Sequence, residues 1–424
     1  MIKAITGTKD ILPSDVVKWR YLEELVRREF AKFGYKEIRT PVFEETALFA
    51  RGIGEATDIV SKEMYTFTDR SETSVTLKPE MTACVVRAFL EHSLGKQQVL
   101  NKLFYISPMF RQERPQAGRF RQFHQFGAEA IGSYDPALDA EMIIMSYDIL
   151  RGLGLKDLTI KINSLGVPES REKYKLILRE YFSDKMDQLS EESKKRVESN
   201  ILRVLDSKDE RDIKVVENAP MLIEHLDNES LEHFEKVKQL LLAAGISFEI
   251  DPKLVRGLDY YTHTTFEVVS GSVGAQSALL GGGRYDNLIE ELGGKETPGV
   301  GFAAGMERIL LACETEGCLT LPDEKIDAYF VSLEKELSHK VYELALLYRR
   351  KGLNIELDYA SRSVKAQMRE ANKLNAKFVL FIGGEEYEND QLRIKNMSSG
   401  EEQTIAITSI EEITKMIKGE DVNT

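Results

Sequence analysis

Residues 102–133 read KLFYISPMFRQERPQAGRFRQFHQFGAEAIGS, a pattern typical of two strands joined by a turn. Strand-like apolar runs at 102–113 and 122–133 flank the basic segment RPQAGRFR at 114–121. Two such runs, separated by a segment that contains proline and glycine, predict a β-hairpin. We therefore expect an antiparallel hairpin whose long tip carries positive charge.

The second strand of this hairpin carries polar residues on one side. Gln125, Gly127 and Glu129 are separated by steps of two, so they face the same side of a sheet. Gly127 has no side chain and would leave a hollow between an amide and a carboxylate, in which a small ligand could rest. The alternative is a solvated polar face, with the apolar residues at 126, 128 and 130 in the core.

The hairpin also contains candidates for nucleotide binding. Arg111 and Glu113 share a face by the same alternation. An arginine and a glutamate in this arrangement often pair with each other, but beside a basic loop Arg111 is also suited to hold a phosphate. Phe123 would either pack in the core or stack on a planar base.

Residues 254–262, LVRGLDYYT, form a second candidate site. The guanidinium of Arg256 is always charged and binds carboxylate or phosphate oxygens. Tyr260 and Tyr261 supply two phenols for hydrogen bonding and stacking. Together they predict a pocket for a small anion that has a planar polar group. A turn that enters a strand, with the tyrosines packed, would give the same pattern.

Two further segments carry polar or charged residues beside a predicted helix start. If residues 78–82 are extended, Glu80 and Thr82 lie on one side, where an acid beside a hydroxyl suits an ammonium group; alternatively, Thr82 caps a helix. At 299–308, GVGFAAGMER leads into a helix with Arg308 in its first turn, where the helix dipole favours phosphate. This segment matches neither the P-loop nor the dinucleotide fingerprint, so a nucleotide site here would be of another type.

Composition excludes several classes of protein. The 424 residues carry a formal net charge of −13, which argues against nucleic-acid binding by the whole surface. No apolar run approaches the roughly 18 to 20 residues of a membrane span, and the N-terminal residues lack the features of a signal peptide. The three cysteines, at 84, 313 and 318, fit neither a disulfide framework nor a zinc motif. We expect a cytoplasmic protein without a fixed metal site.

Changes of pattern along the chain predict two domains. Residues 1–325 would form the first, with a charge-dense helical insertion at about 170–242. In residues 326–424 strands alternate with helices, which predicts a small, mostly parallel sheet covered by helices.

In combination, these motifs resemble those of the class II aminoacyl-tRNA synthetases, and in particular the histidyl-tRNA synthetase family. Residues 33–41, 110–123 and 301–308 resemble the three class motifs. Residues 254–262 and 281–286 are similar to two histidine-specific signatures. The resemblance implies an α+β catalytic domain built on an antiparallel sheet, with a helical insertion, followed by a C-terminal α/β anticodon-binding domain.

The resemblance also implies a role for each candidate residue. Those that would hold L-histidine are Glu80, Thr82, Arg111, Gln125, Glu129, Arg256, Tyr260 and Tyr261. Among them, Arg256 and Arg111 would act at the reacting centre, and Arg256 would take part of the work that a metal does elsewhere in the class. Those that would hold ATP, accompanied by Mg²⁺, are Arg111, Glu113, Phe123 and Arg308.

The remaining implied partners are the tRNA for histidine and a second copy of the chain, with no membrane partner. Candidate tRNA-binding residues are Arg119, Arg121, Lys365, Arg369 and Lys373. Between residues 349 and 377, eight lysines and arginines accompany three acidic residues, a local charge of +5 in an acidic protein. A charge stripe is usually a solvated helix face, but with the resemblance anticodon contact becomes the better interpretation.

Three alternatives remain. The strongest is a regulatory, histidine-sensing subunit of ATP phosphoribosyltransferase, which resembles the catalytic domain but does not aminoacylate. A class II synthetase for proline, threonine or glycine would share the C-terminal domain type, but Glu129 and the paired tyrosines argue against it. The third is a non-catalytic RNA-binding protein.

Overall fold

A computed structural model describes residues 2–54, 57, 59–116, 118–205, 207, 209–255, 258, 260–274, 278–321 and 325–420. The chain divides into two units, Met1–Leu321 and Pro322–Thr424. The predicted domain limits at 325 and 326, and the limits of the predicted insertion, stay predictions. Each unit is described by itself below.

The first unit contains strands and helices in mixed order. Its strands are β1 (Lys36–Glu37), β2 (Phe43–Glu45), β3 (Tyr65–Thr68), β4 (Ser74–Leu77), β5 (Asn101–Phe110), β6 (Gln122–Ile131), β7 (Leu158–Ser164), β8 (Glu249–Ile250), β9 (Thr262–Ser270), β10 (Ala278–Arg284) and β11 (Gly299–Gly305). Its helices are α1 (Pro13–Lys32), α2 (Thr46–Ile53), α3 (Thr82–Glu91), α4 (Leu94–Gln97), α5 (Pro136–Gly152), α6 (Pro168–Ser183), α7 (Glu191–Ser199), α8 (Glu210–Val216), α9 (Asn228–Ala243), α10 (Leu288–Glu291) and α11 (Met306–Glu316).

A large sheet forms the centre of this unit. Among the described residues its strand order is β1-β5-β6-β11-β10-β9-β7-β8. The strands pair antiparallel except at the two edges, where β1 joins β5 and β7 joins β8 in parallel. A second sheet has the order β2-β4-β3. The α+β fold with an antiparallel central sheet is therefore confirmed.

The predicted hairpin is present as β5 and β6, which pair antiparallel along their length. Both strands end earlier than predicted, at Phe110 and Ile131. Arg111 and Glu113 therefore lie beyond the end of β5, in the loop that leads to the tip.

The two faces of β6 contact different core clusters. Phe126, Ala128 and Ala130 belong to a core cluster with apolar residues of α1, α5, α9 and α11. The alternate residues face a second cluster, which contains Tyr105 of β5 together with residues of α2 and α3. Because side chains alternate across a strand, this second face presents the polar residues of β6.

The second unit is a sheet with helices. Its strands are β12 (Ala328–Ser332), β13 (Ile355–Leu357), β14 (Phe378–Ile382), β15 (Gln391–Asn396) and β16 (Glu402–Ala406), and its helices are α12 (Ser338–Arg350), α13 (Val364–Lys373), α14 (Gly384–Glu388) and α15 (Ile410–Lys418). The strand order among described residues is β13-β12-β14-β15-β16.

The prediction that this sheet is mostly parallel is wrong for half of its pairings. β12 is parallel to β13 and β14, but β15 is antiparallel to β14 and to β16. Only residues 383–390 separate β14 from β15, and a parallel crossover needs about a dozen residues or more. In neither unit is a described helix both long and apolar enough to cross a membrane.

Candidate active site

A cavity of about 620 Å³ opens on the polar face of β6. It gathers most of the residues that the sequence predicts for a substrate site: Glu80, Thr82, Arg111, Glu113, Phe123, Gln125, Tyr260, Tyr261 and Arg308. Arg119 also lines it, whereas Glu129 lies fully buried behind the lining. Arg256 lies outside the described residues, so its predicted position beside the cavity stays a prediction.

Glu80 and Thr82 meet at the start of α3. The Glu80 carboxylate accepts the backbone N–H groups of Thr82 at 2.7 Å and of Ala83 at 2.9 Å. The N-cap position is Met81, and the side chain that accepts the first N–H groups of the helix is that of Glu80 and not that of Thr82. The Thr82 hydroxyl instead donates to Glu129 at 2.8 Å. Burial raises the pKa of Glu80, and the two backbone N–H bonds oppose that shift. An acid held in this way keeps a fixed position at the cavity wall.

Glu129 is the centre of a buried cluster of hydroxyl groups. One carboxylate oxygen accepts from Thr82 at 2.8 Å and from Tyr105 at 3.4 Å, and the other accepts from Tyr285 at 2.6 Å. Burial raises the pKa of Glu129 from 4.5 to about 8, although the hydroxyl donors stabilise its charged form. The raised pKa favours the protonated form of Glu129 at neutral pH.

Two glycines make room for this cluster. A Cβ atom placed on Gly301 would lie 1.8 Å from Glu129 Oε2, and one placed on Gly127 would lie 2.4 Å from the Tyr105 hydroxyl. The predicted hollow over Gly127 is therefore not free for a ligand, because Tyr105, paired with Gly127 across the hairpin, fills it. Close approach of protein side chains requires glycine at these two positions.

The paired tyrosines lie beside this cluster. Tyr260 and Tyr261 are buried, with ring centroids 4.7 Å apart, and the Tyr260 ring lies 5.8 Å from that of Tyr285. Gln125, on the same side of β6 as Glu129, has a buried side-chain oxygen without a hydrogen-bond partner. A buried acceptor without a partner is costly, so this oxygen is suited to receive a donor from a ligand.

Arginines occupy another part of the cavity. Arg111 donates to the carbonyl oxygen of Pro79 at 2.9 Å, and its guanidinium lies 5.4 Å from the Phe123 ring centroid. Glu113 is 3.7 Å from Arg111 and accepts a hydrogen bond from Arg119 at 2.8 Å. Arg111 and Glu113 thus pair only at long range, because the closer partner of Glu113 is Arg119.

Arg308, in the first turn of α11, completes this group. It donates to the carbonyl oxygen of Ala278 at 2.6 Å. Burial, together with the positive charge of Arg119, lowers its pKa. A bound anion would stabilise the charged form of an arginine that is buried beside another cation. The neighbouring guanidinium groups can together hold a polyphosphate.

The other predicted tRNA-binding residues belong to two separate elements, one in each unit. Arg121 packs against the N-terminal segment, where its side chain donates to the carbonyl oxygen of Thr6 at 3.3 Å. Lys365, Arg369 and Lys373 are exposed along α13 in the second unit. Lys377 follows that helix and pairs with Asp327 at 2.8 Å.

The two tyrosines that donate to Glu129, Tyr105 and Tyr285, were not among the predicted site residues. Tyr285 follows the triple glycine, and its neighbour Arg284 is fully buried and bound to Asp139 of α5, which fixes this end of β10. Tyr105 stands opposite Gly127 in the structure, but the predicted strand limits, 102–113 and 122–133, did not fix that register.

Two further contacts of charged residues at the cavity were not predicted. Lys161 and Asp251 line it and pair at 3.1 Å. Glu307 accepts the backbone N–H of His124 at 2.9 Å. Within the described ranges, no group of three or more histidine, cysteine, aspartate or glutamate side chains is arranged to hold a metal ion.

Comparison with known proteins finds a matching family model for each of the two units. A family model for histidyl-tRNA synthetase matches residues 7–309, and one for an anticodon binding domain matches residues 327–417. A histidine–tRNA ligase of Halothermothrix orenii is 48% identical over 98% of this chain and 100% of its own length. One from Geobacillus sp. (strain WCH70) is 49% identical over 96% of this chain and 97% of its own length. The crystal structure of apo S. aureus histidyl-tRNA synthetase is similar with a TM-score of 0.83 and 39% identity, covering 99% of this chain and 100% of that one.

Proposed function

Since the chain belongs to the histidyl-tRNA synthetase family, we propose that it activates L-histidine with ATP and transfers the histidyl group to the 3′ end of its tRNA. The observation that carries this proposal is the chemical division of one cavity. A hydroxyl-rich part surrounds a buried acid, and an arginine-rich part adjoins it. An amino acid and a nucleoside triphosphate need these two environments side by side.

The amino acid is proposed to occupy the part of the cavity at the start of α3. Glu80, Thr82 and the partnerless oxygen of Gln125 present acceptors to the α-ammonium group. Glu129, Tyr260 and Tyr261 surround the imidazole. A site that hydrogen-bonds both ring nitrogens would reject analogues without them by about 10⁴–10⁵, so no separate editing site is required.

ATP is proposed to occupy the arginine-rich part. Arg308 would contact the γ-phosphate, Arg111 the α-phosphate and the histidine carboxylate, and Glu113 and Phe123 the adenine. Arg119 lines the same part of the cavity and supports the binding of a polyanion there. Mg²⁺ would arrive with ATP, because the phosphate oxygens are its favoured ligands.

In the activation step, a histidine carboxylate oxygen attacks the α-phosphorus while the bond to the leaving pyrophosphate breaks. Both reactants are anionic, so a cation that contacts both reduces their repulsion and holds them in line. We assign this work to Arg111 and Arg256. In the second step, a ribose hydroxyl of the tRNA attacks the acyl carbon and AMP leaves.

The second unit is proposed to bind the anticodon of the tRNA. On α13, Lys365 and Arg369 are exposed and one turn apart, and neither forms a salt bridge among the described residues. Several other cations of the basic stretch are paired: Arg362 with Asp358, and Lys377 with Asp327. The proposed contact surface is therefore the face of α13 that contains Lys365, Arg369 and Lys373.

We also propose that the protein is a cytoplasmic homodimer. Phe43 of β2 and Phe67 of β3 are 55% and 49% exposed on one face of the small sheet. Two exposed aromatic rings on one sheet face are suited to pack against the same face of a second copy. The double variant Phe43→Glu/Phe67→Glu should be a monomer by light scattering, and a dimer in that variant would refute this use of the face.

The test of the activity is amino-acid-dependent exchange between ATP and pyrophosphate. The purified chain should exchange with L-histidine and not with proline, threonine or glycine. Exchange with another amino acid alone would assign a different synthetase. No exchange from folded protein would favour the regulatory subunit, although the named ligases match over both units of this chain.

A further inference from the structure

The C-terminal end of α11 brings two cysteines together. Gly317 takes the left-handed conformation, with φ of 61°, and its N–H donates to Glu314 at 3.2 Å. The N–H of Cys318 donates to the carbonyl oxygen of Cys313 at 3.1 Å. These two bonds define a Schellman motif, in which the side chains at the positions of Cys313 and Cys318 usually contact each other.

In most helices that pair of positions holds apolar side chains, but here both are thiols. Cys318 is close enough to Cys313 to raise the pKa of the Cys313 thiol. Cys313 is fully buried in the main core, and the half-buried Cys318 packs against the same core. Gly154 holds Cys318 from the other side, since a Cβ atom on Gly154 would lie 3.3 Å from that of Cys318.

We propose that Cys313 and Cys318 form a reversible disulfide within the chain when a hydroperoxide oxidises them. A disulfide requires Cα atoms about 4.4–6.8 Å apart. The 3.1 Å bond from the Cys318 N–H to the Cys313 carbonyl oxygen keeps the two Cα atoms within about 7 Å of each other, because only an N–Cα bond on one side and a C=O and a Cα–C bond on the other extend beyond it. The Schellman motif provides the second condition, because the side chains at these two positions usually contact each other.

The chemistry proceeds in two balanced steps. The Cys318 thiolate attacks one oxygen of hydrogen peroxide, the O–O bond breaks, and a sulfenic acid and hydroxide form. The Cys313 thiol then attacks the sulfenic sulfur, so that the S–S bond forms, the S–O bond breaks and water leaves. Two electrons pass from the thiols to the peroxide, and a dithiol reductant reverses the change.

The environments of the two thiols fix their order of reaction. Burial and the adjacent Cys318 raise the pKa of Cys313, so it stays protonated and shielded from peroxide. Cys318 is the thiol with access to solvent and reacts first. The resulting bond closes the end of α11 opposite to the turn that carries Arg308.

The pair has an internal control in Cys84, which lies fully buried in the second core cluster. The folded chain is treated with hydrogen peroxide, unfolded, labelled with N-ethylmaleimide and digested with trypsin. Residues 309–325 form one tryptic peptide that contains both cysteines of the pair. We expect this peptide to lose two hydrogens and both labels, with both labels restored by dithiothreitol, while Cys84 stays labelled.

Two labels on the peptide after treatment would overturn the proposal. A sulfinic acid at Cys318 beside a labelled Cys313, or a bond between two chains, would overturn it equally. The variant Cys84→Ser should behave as wild type, and Cys313→Ser should carry oxidised Cys318 without a disulfide. Because the wild-type result decides by itself, poor folding of a serine variant leaves the test intact.

Discussion

Replacement of Gly301 by alanine should disable histidine activation by displacing Glu129. The new Cβ atom would lie 1.8 Å from Glu129 Oε2 and 2.6 Å from the Ala128 carbonyl oxygen. Ordinary contact begins at 3.4 Å, so the carboxylate must move by about 1.6 Å. Its hydrogen bonds from Thr82 and Tyr285 then cannot both be kept.

The structure also sets the size of this effect. A displacement of about 1 Å in a group that orients substrate can cost about 10²-fold in rate. Overpacking of a buried strand costs about 1–3 kcal/mol of stability, less than the stability of a typical domain. We therefore expect a folded variant in which kcat/KM for histidine in pyrophosphate exchange falls by about 10²-fold or more.

The matched control is Gly305→Ala on the same strand, β11. Its φ is negative, and the nearest side-chain atom to its new Cβ would be 3.9 Å away. This variant should keep the wild-type KM for histidine. If Gly301→Ala also retained near-normal kcat/KM while folded, the proposed contact between Glu129 and the substrate would be refuted.

Three further predictions concern catalysis, tRNA binding and stability. Arg256→Ala should reduce pyrophosphate exchange by about 10²–10³-fold without changing the circular dichroism spectrum; near-normal exchange would refute its role. The double variant Lys365→Ala/Arg369→Ala should weaken tRNA binding and lower the slope of its salt dependence by about one unit per lost phosphate contact. The control Lys377→Ala removes a lysine that is already paired with an aspartate and should leave tRNA binding unchanged. Loss of pyrophosphate exchange in the double variant would contradict the proposal that the second unit binds tRNA and takes no part in activation. Because the pKa of Glu129 is raised from 4.5 to about 8, the folded chain retains a proton that the unfolded chain releases, so this group's contribution to the free energy of unfolding falls as pH rises across that interval. Urea titrations should show that Glu129→Gln lacks this component, at most about 1.4 kcal/mol per pH unit; identical pH profiles would disprove it.

The local sequence pattern was sufficient to predict the hairpin that carries part of the site. The runs around 114–121 predicted a hairpin because alternation and turn residues are properties of neighbouring residues. The same alternation placed Gln125 and Glu129 on one face and the apolar residues between them in the core, as the structure has them.

Contacts between segments that are far apart along the chain could not be predicted from the sequence. The hollow over Gly127 is filled by Tyr105, and Glu129 binds Tyr285, more than 150 residues away along the chain. The antiparallel half of the second sheet also escaped prediction. An alternating pattern predicts a strand but not whether it runs parallel or antiparallel to its neighbour. Here only the short connection before β15 indicates the antiparallel pairing.

The positions of the two bound substrates test the proposed activity most directly. A crystal structure with L-histidine and a non-hydrolysable ATP analogue should place the imidazole within hydrogen-bond distance of Glu129 or Tyr261, with the triphosphate beside Arg308. Density for the imidazole away from Glu129, or for the triphosphate away from the arginines, would contradict it.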